Sequence, residues 1–118
     1  MPSDRTQELL NTLDPFMQTR AAILINALRG IGIPAVIVGM GARRTVEEQA
    51  RLVAASRSKT MRSKHVQGLA FDLDILGYRR DDIPSEFWNQ LGPWAEEQLG
   101  LRWGGRWSNP YDPGHFEL

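Results

Sequence analysis

The sequence has no cysteine at all, and only two histidines in 118 residues. Without thiols, a disulfide framework and a thiolate zinc finger are both excluded, so any metal must be held by imidazole and carboxylate. A surplus of charge is lacking too: 14 Lys and Arg balance 14 Asp and Glu, which excludes a strongly polybasic or polyacidic chain. No apolar run approaches the roughly 20 residues that cross a bilayer. No basic segment followed by an apolar core stands near Met1, so no export signal is expected. Internal repeats and low-complexity linkers are absent as well. What remains is an ordinary globular composition, 42% hydrophobic, with length for one domain whose core needs no covalent staples. The expected organisation is a single domain over 1–118, with 1–12 as an N-terminal helical extension.

The scarcity of histidine makes the position of each informative. His65 lies in Ser63-Lys64-His65-Val66-Gln67-Gly68-Leu69-Ala70-Phe71-Asp72, and His115 in Asp112-Pro113-Gly114-His115. Residues 69–75 alternate, with Leu69, Phe71, Leu73 and Ile75 on one face and Ala70, Asp72 and Asp74 on the other. That is the period of a half-buried strand, and it puts Asp72 on a polar face where a cleft could lie. Acid, Pro and Gly in succession at 112–114 are the pattern of a type II β-turn, which brings the Cα atoms of Asp112 and His115 within roughly 7 Å. Two imidazoles with nearby carboxylates suit zinc, which keeps one position open for water in a catalytic site. They also suit neighbouring transition metals. If His115 binds a metal, Asp112 stands beside the open position, where a carboxylate can take a proton from an activated water.

Taken in order, 4–12 reads as a short helix with Asp4 and Gln7 spaced as a capping box. Asp14-Pro15 reads as an N-cap followed by proline at the first helical position. Phe16, Met17, Arg20, Ala21, Leu24, Ala27 and Leu28 follow at helical spacing, and Gly30 or Gly32 closes the helix. A short β-branched strand over 35–38 leads to the Gly39-Met40-Gly41 loop, and Thr45-x-x-Glu48 is a capping box opening a helix to about Ser56. After the strand, 77–82 is a polar loop and Ser85 caps a helical segment. Gly92-Pro93 breaks or kinks that segment before it resumes over 94–99. Closing strands are expected at 101–103 and 115–117, giving an α+β fold: a small, mainly antiparallel sheet flanked by helices. Trp103 and Trp107 read as core and cleft wall. Asp74 either supports a metal ligand or is solvated, and Glu117 has a supporting place at most.

Three of these stretches carry a resemblance. Ser63-x-His65-x-x-Gly68-x-Ala70-x-Asp72, Trp103-Gly104-Gly105-x-Trp107 and Asp112-x-x-His115-Phe116-Glu117 follow one another as in VanY-like zinc peptidoglycan peptidases. These are the D-alanyl-D-alanine carboxypeptidase and L-alanyl-D-glutamate endopeptidase group. Upstream, Gly41 to Gln49 is similar to the group's Arg-Ser/Thr-x-x-x-Gln segment. An aromatic residue usually precedes that arginine, and here Arg43 takes its place; alignment on Thr45 and Gln49 selects Arg44. The resemblance implies one Zn2+ ion on His65, Asp72 and His115, with Asp112 as the catalytic base. It implies that Arg44 binds substrate or polarises its carbonyl, while Ser63 either touches substrate or caps the loop of His65.

The function this implies is zinc-dependent hydrolysis of a peptide bond in the peptidoglycan stem, most simply the L-alanyl-D-glutamate bond. A chain without an export signal or a separate wall-binding module suits a phage-type endolysin, released to the cell wall through a phage-made hole in the membrane. A D-alanyl-D-alanine carboxypeptidase is the alternative. A non-catalytic zinc-containing binding domain is the alternative of another class, against which the carboxylate of Asp112 argues. The expected partner is the stem peptide, with neither nucleic acid nor stable membrane association, and the expected state is a monomer. Arg51, Arg57, Lys59, Arg62 and Lys64 make the middle of the chain basic. The plain reading is a solvated helix face and loop; the sharper one is attraction to an anionic wall polymer.

Overall fold

The computed structural model describes residues 4–58 and 60–118, so Lys59 of the basic stretch lies outside the described residues. The expected α+β architecture is present. Helix α1 (Thr6–Leu10) is shorter than the sequence suggests and has no capping box. Asp4 instead accepts from the Thr6 N–H, and Gln7 turns forward to Asn11. This helix packs into the body of the protein: Thr6 is 2% exposed, and its hydroxyl accepts the Ile37 N–H at 3.1 Å.

Helix α2 (Pro15–Gly30) starts as its sequence requires, with the Asp14 carboxylate accepting the Phe16 N–H and proline at the first helical position. Its inner face is Met17, Ala21, Leu24, Ile25 and Leu28. Phe16 and Ala27 are exposed, so the buried stripe is rotated toward Ile25 from the one expected. Arg20 sits at its edge and donates to the Leu99 carbonyl. Strand β1 (Ala35–Val36) is only two residues long, and helix α3 (Val46–Ala54) opens on the complete capping box of Thr45 and Glu48.

The alternating stretch 69–75 does not form one strand. It divides into β2 (Ala70–Asp72) and β3 (Asp74–Ile75), which enter different sheets. Strand β3 pairs antiparallel with β1. At the break, the Leu73 N–H bonds to the Gly114 carbonyl, and the chain is redirected there. Both faces of β2 are buried, because the polar face lines the site rather than solvent.

Helix α4 (Ser85–Leu99) runs through Gly92-Pro93 without a break. Its cap position is Pro84 rather than Ser85, and no side chain caps it. Gly92 is there for packing: a β-carbon would overlap the Trp103 indole. The helix ends at Gly100 in the left-handed conformation (φ 64°), as a glycine C-cap should. Strands β4 (Arg102–Trp103) and β5 (His115–Glu117) complete a three-stranded antiparallel sheet in the order β2-β5-β4. In its register Asp72 lies opposite His115, and Phe71 opposite Phe116. Phe71 and Phe116 stack at 5.5 Å and are fully buried, turning the other side of both strands toward the cleft. Among the described residues no helix is long and apolar enough to cross a membrane.

Candidate active site

The β2–β5 register brings the two halves of the site together. His65 Nε2 lies 3.2 Å from Asp72 Oδ1 and 3.3 Å from His115 Nδ1, and His115 Nδ1 is 3.0 Å from the same Asp72 oxygen. All three residues are buried, and one ligand atom from each lies within 4.8 Å of the others. The turn before β5 is hydrogen-bonded from the His115 N–H to the Asp112 carbonyl at 3.1 Å. It is not type II, because Gly114 is not among the glycines with positive φ. Glycine suits the close packing at 114, where a β-carbon would sit a tight 3.0 Å from the Leu73 carbonyl oxygen.

Outer hydrogen bonds set which nitrogen of each ring faces inward. His65 Nδ1 is 2.7 Å from the Ala42 carbonyl, so it carries the proton and leaves the Nε2 lone pair toward the cluster. His115 Nε2 is 2.9 Å from Glu117 Oε1, which leaves Nδ1 facing inward. Three acceptor atoms therefore point at one another at hydrogen-bond distance, an arrangement that needs a proton or a cation between them. This donor set, two imidazoles and a carboxylate with outer hydrogen-bond partners, fits zinc.

Without a metal, protons do that work. Burial disfavours the charged ring of His115, but its hydrogen bonds to Asp72 and Glu117 outweigh this and hold its pKa up at about 9. Burial likewise opposes the charge on Asp72, yet the hydrogen bond from His115, with the nearby imidazole of His65, holds that carboxyl well below the usual range. Asp112 moves the other way: burial, then the negative charge of Asp72, raises it. Its Oδ2 stands 4.0 Å from His115 Nδ1, beside the cluster, and its side chain is partly open to the cleft. Gly104 fixes the backbone of Asp112, since a β-carbon on Gly104 would overlap the Asp112 carbonyl.

The loop ahead of α3 is bonded to the same centre. The Asp72 N–H donates to the Gly41 carbonyl and the Arg44 N–H to the His65 carbonyl. The Arg44 guanidinium donates through Nε to Met40, through Nη1 to Gln49 and through Nη2 to Asp72 Oδ2 at 3.2 Å. Arg43 is exposed. A guanidinium has five N–H donors, so two of Arg44's remain for a ligand. Ser63 accepts the His65 N–H, which caps the loop, and it also lines the cleft. Trp103 is buried, with its indole N–H on the Pro113 carbonyl, while Trp107 lies 5.0 Å from the His115 ring and forms cleft wall.

The cleft has a volume of about 540 Å³ and gathers Arg44, Ser63, His65, Asp72, Asp112 and His115 along its walls. Glu117 takes the supporting place that the sequence allowed it, since strand alternation puts it on the face of His115. Sequence reasoning overlooked Arg80, in a short turn with no periodicity to mark it. Arg80 lines the cleft and is held by Asp74 through two hydrogen bonds of 3.1 and 2.8 Å, so Asp74 is occupied there and supports no metal ligand.

A family model described as D-alanyl-D-alanine carboxypeptidase matches residues 56–118. An L-alanyl-D-glutamate peptidase from a Listeria phage is 34% identical over 82 residues, which is 64% of this chain. The match spans only 27% of that longer protein. Among solved structures, the L-Ala D-Glu endopeptidase ChiX of Serratia marcescens is 27% identical with a TM-score of 0.71, over 97% of this chain and 86% of its own. The D,D-pentapeptidase VanY of a VanB-type resistance cassette, solved with Zn(II), shares the fold at 19% identity. Its TM-score is 0.63, over 90% of this chain and 72% of its own. With the family match running from ahead of His65 to the last residue, over more than half its length, the chain belongs to the D-alanyl-D-alanine carboxypeptidase family of VanY-like peptidases.

Proposed function

We propose that this protein is a zinc peptidase that cuts the L-alanyl-D-glutamate bond of the peptidoglycan stem, as a monomeric endolysin acting on the cell wall. The observation that carries the reading is the meeting of His65, Asp72 and His115 around shared space with Asp112 at its edge. The named activities of the phage relative and of ChiX support the choice of bond. In this reading His65 Nε2, His115 Nδ1 and Asp72 hold the ion. Zinc there supplies Lewis acidity, polarising a carbonyl and making a water acidic enough to attack near neutral pH.

The remaining steps belong to the protein's own groups. Asp112 takes the proton of the attacking water and passes one to the leaving amine. The two spare N–H groups of Arg44 meet the oxygen that gains charge as the carbonyl is attacked, or a carboxylate of the substrate. Glu117 and the Ala42 carbonyl keep the two rings in the orientation that leaves their inner nitrogens free. Ser63 and Trp107 shape the wall beside them.

The description of the matching family favours a second reading, a carboxypeptidase that trims D-alanine from a free stem end. Mass spectrometry of muropeptides after digestion separates the two. Stems cut behind L-alanine support the endopeptidase, whereas released D-alanine with that bond intact overturns it.

A further inference from the structure

Three cations that follow α3 face the site, although two of them, Arg57 and Arg62, are also exposed. Arg57, Arg62 and Lys64 line the same cleft as the His65–Asp72–His115 cluster. Among the described residues none of the three forms an ion pair. The cleft's own carboxylates are committed elsewhere. Asp72 bonds to His115 and Arg44 and stands 3.2 Å from His65, and Glu117 bonds to His115 and stands 3.6 Å from Arg102. Asp112 stands at the cluster as the proposed base.

The position of this wall is built rather than incidental. Gln49, fully buried on α3, donates from Nε2 to Ser58 Oγ at 2.8 Å and to the Thr60 carbonyl at 2.6 Å, while its Oε1 accepts from Arg44. One carboxamide thus ties the cationic segment to the arginine that touches Asp72. The Arg57 and Ser58 N–H groups both reach back to the Leu52 carbonyl, and the Arg62 N–H bonds to Thr60 Oγ1. Solvated surface arginines need no such splint. Glu117 feels the charge of Lys64 as well as that of Arg102, but Arg57 and Arg62 have no acidic partner among the described residues. Positive charge in excess, held beside a peptidase centre, asks for negative charge on the ligand.

We infer that Arg57, Arg62 and Lys64 form a subsite for free carboxylates of the stem peptide, so that the enzyme selects unamidated stems over amidated ones. The inference rests on the peptidase reading and adds a specificity to it. A carboxylate of the glutamyl residue or of a neighbouring residue exchanges water for these cations, whereas a primary amide at that place carries no charge to match.

The test uses two synthetic stem peptides with the same L-alanyl-D-glutamate bond, differing only in whether the neighbouring carboxyl groups are free or primary amides. Both are given to the zinc-loaded wild type and to Arg57→Gln/Arg62→Gln, two exposed positions, with thermal melting as the check on folding. The wild type is expected to prefer the free carboxylates by about tenfold in kcat/KM, carried mostly by KM and shrinking as salt is added. The double variant is expected to keep a preference of only about twofold. Equal rates on the two peptides in the wild type, or an undiminished preference in the double variant, overturn the subsite while leaving the peptidase reading intact. A wild type that cuts neither peptide refutes the peptidase reading, and the subsite falls with it.

Discussion

Raising pH from 7 to 9 should tighten zinc binding about fiftyfold, because the metal competes with a proton on His115. The pKa of that ring in the metal-free protein is about 9, against an ordinary 6.5, since Asp72 and Glu117 both bond to it. At pH 7 only about one molecule in a hundred has His115 unprotonated, so displacing the proton costs about 3 kcal/mol. The apparent Kd should therefore fall about tenfold from pH 7 to 8, about fivefold from pH 8 to 9, and then level off.

The stability of the metal-free protein should move in the opposite sense. A raised histidine pKa contributes stability that is fully present below about 6.5 and is lost as pH rises through about 9. The difference of 2.5 units amounts to about 3 kcal/mol. Competition against a chromophoric chelator from pH 6.5 to 9.5 gives the Kd, and melting of the metal-free protein gives the stability. Calorimetry in buffers of different ionisation heat counts the proton released, expected to be about one per zinc at pH 7. A Kd that does not change between pH 7 and 9, with no proton released, would refute the tautomer and charge assignment of the whole cluster.

Three substitutions probe the groups around it. Asp112→Asn should keep zinc and the melting temperature while lowering kcat by about 10²–10⁴-fold, and undiminished wall lysis removes the base assignment. Glu117→Gln, which retains an acceptor but not the charge, should weaken zinc binding about 10–100-fold in chelator competition. Gly92→Ala should destabilise by about 2 kcal/mol in urea, even though alanine is the better helix former, because its methyl group meets the Trp103 ring. An unshifted urea midpoint would mean that the indole does not need that space.

Where the sequence was legible, it was through chemistry local to a few residues. The caps at Asp14 and Thr45, the glycine stop at Gly100 and the closing strands follow from side chains acting on their own backbone. The two histidines were legible because they are scarce, and Asp72 because strand alternation puts it on the polar face. The failures have a common physical cause, which is that long-range contacts overrode local pattern. Residues 69–75 alternate like one strand, but Leu73 pairs with Gly114 and divides them. Gly92-Pro93 has the look of a helix breaker, yet its glycine accommodates an indole from β4. The turn at 112–115 has type II residues without type II geometry, and its Gly114 carbonyl accepts the Leu73 N–H from the break between β2 and β3. Arg80 and the Ala42 carbonyl have no sequence mark, since their roles depend only on where the folded chain carries them.

The pairing of Asp72 with His115 across β2 and β5 ties metal uptake to the integrity of the sheet. These residues are 43 positions apart in the chain, so an unfolded polypeptide offers the ion no comparable grip. A slip of one residue in that pairing would turn the imidazole to the opposite face. Zinc thus favours the correctly registered state alone, and at a free concentration of about 100 times Kd it would add about 2.7 kcal/mol to folding. Resistance to unfolding becomes a gauge of how much zinc the surroundings supply.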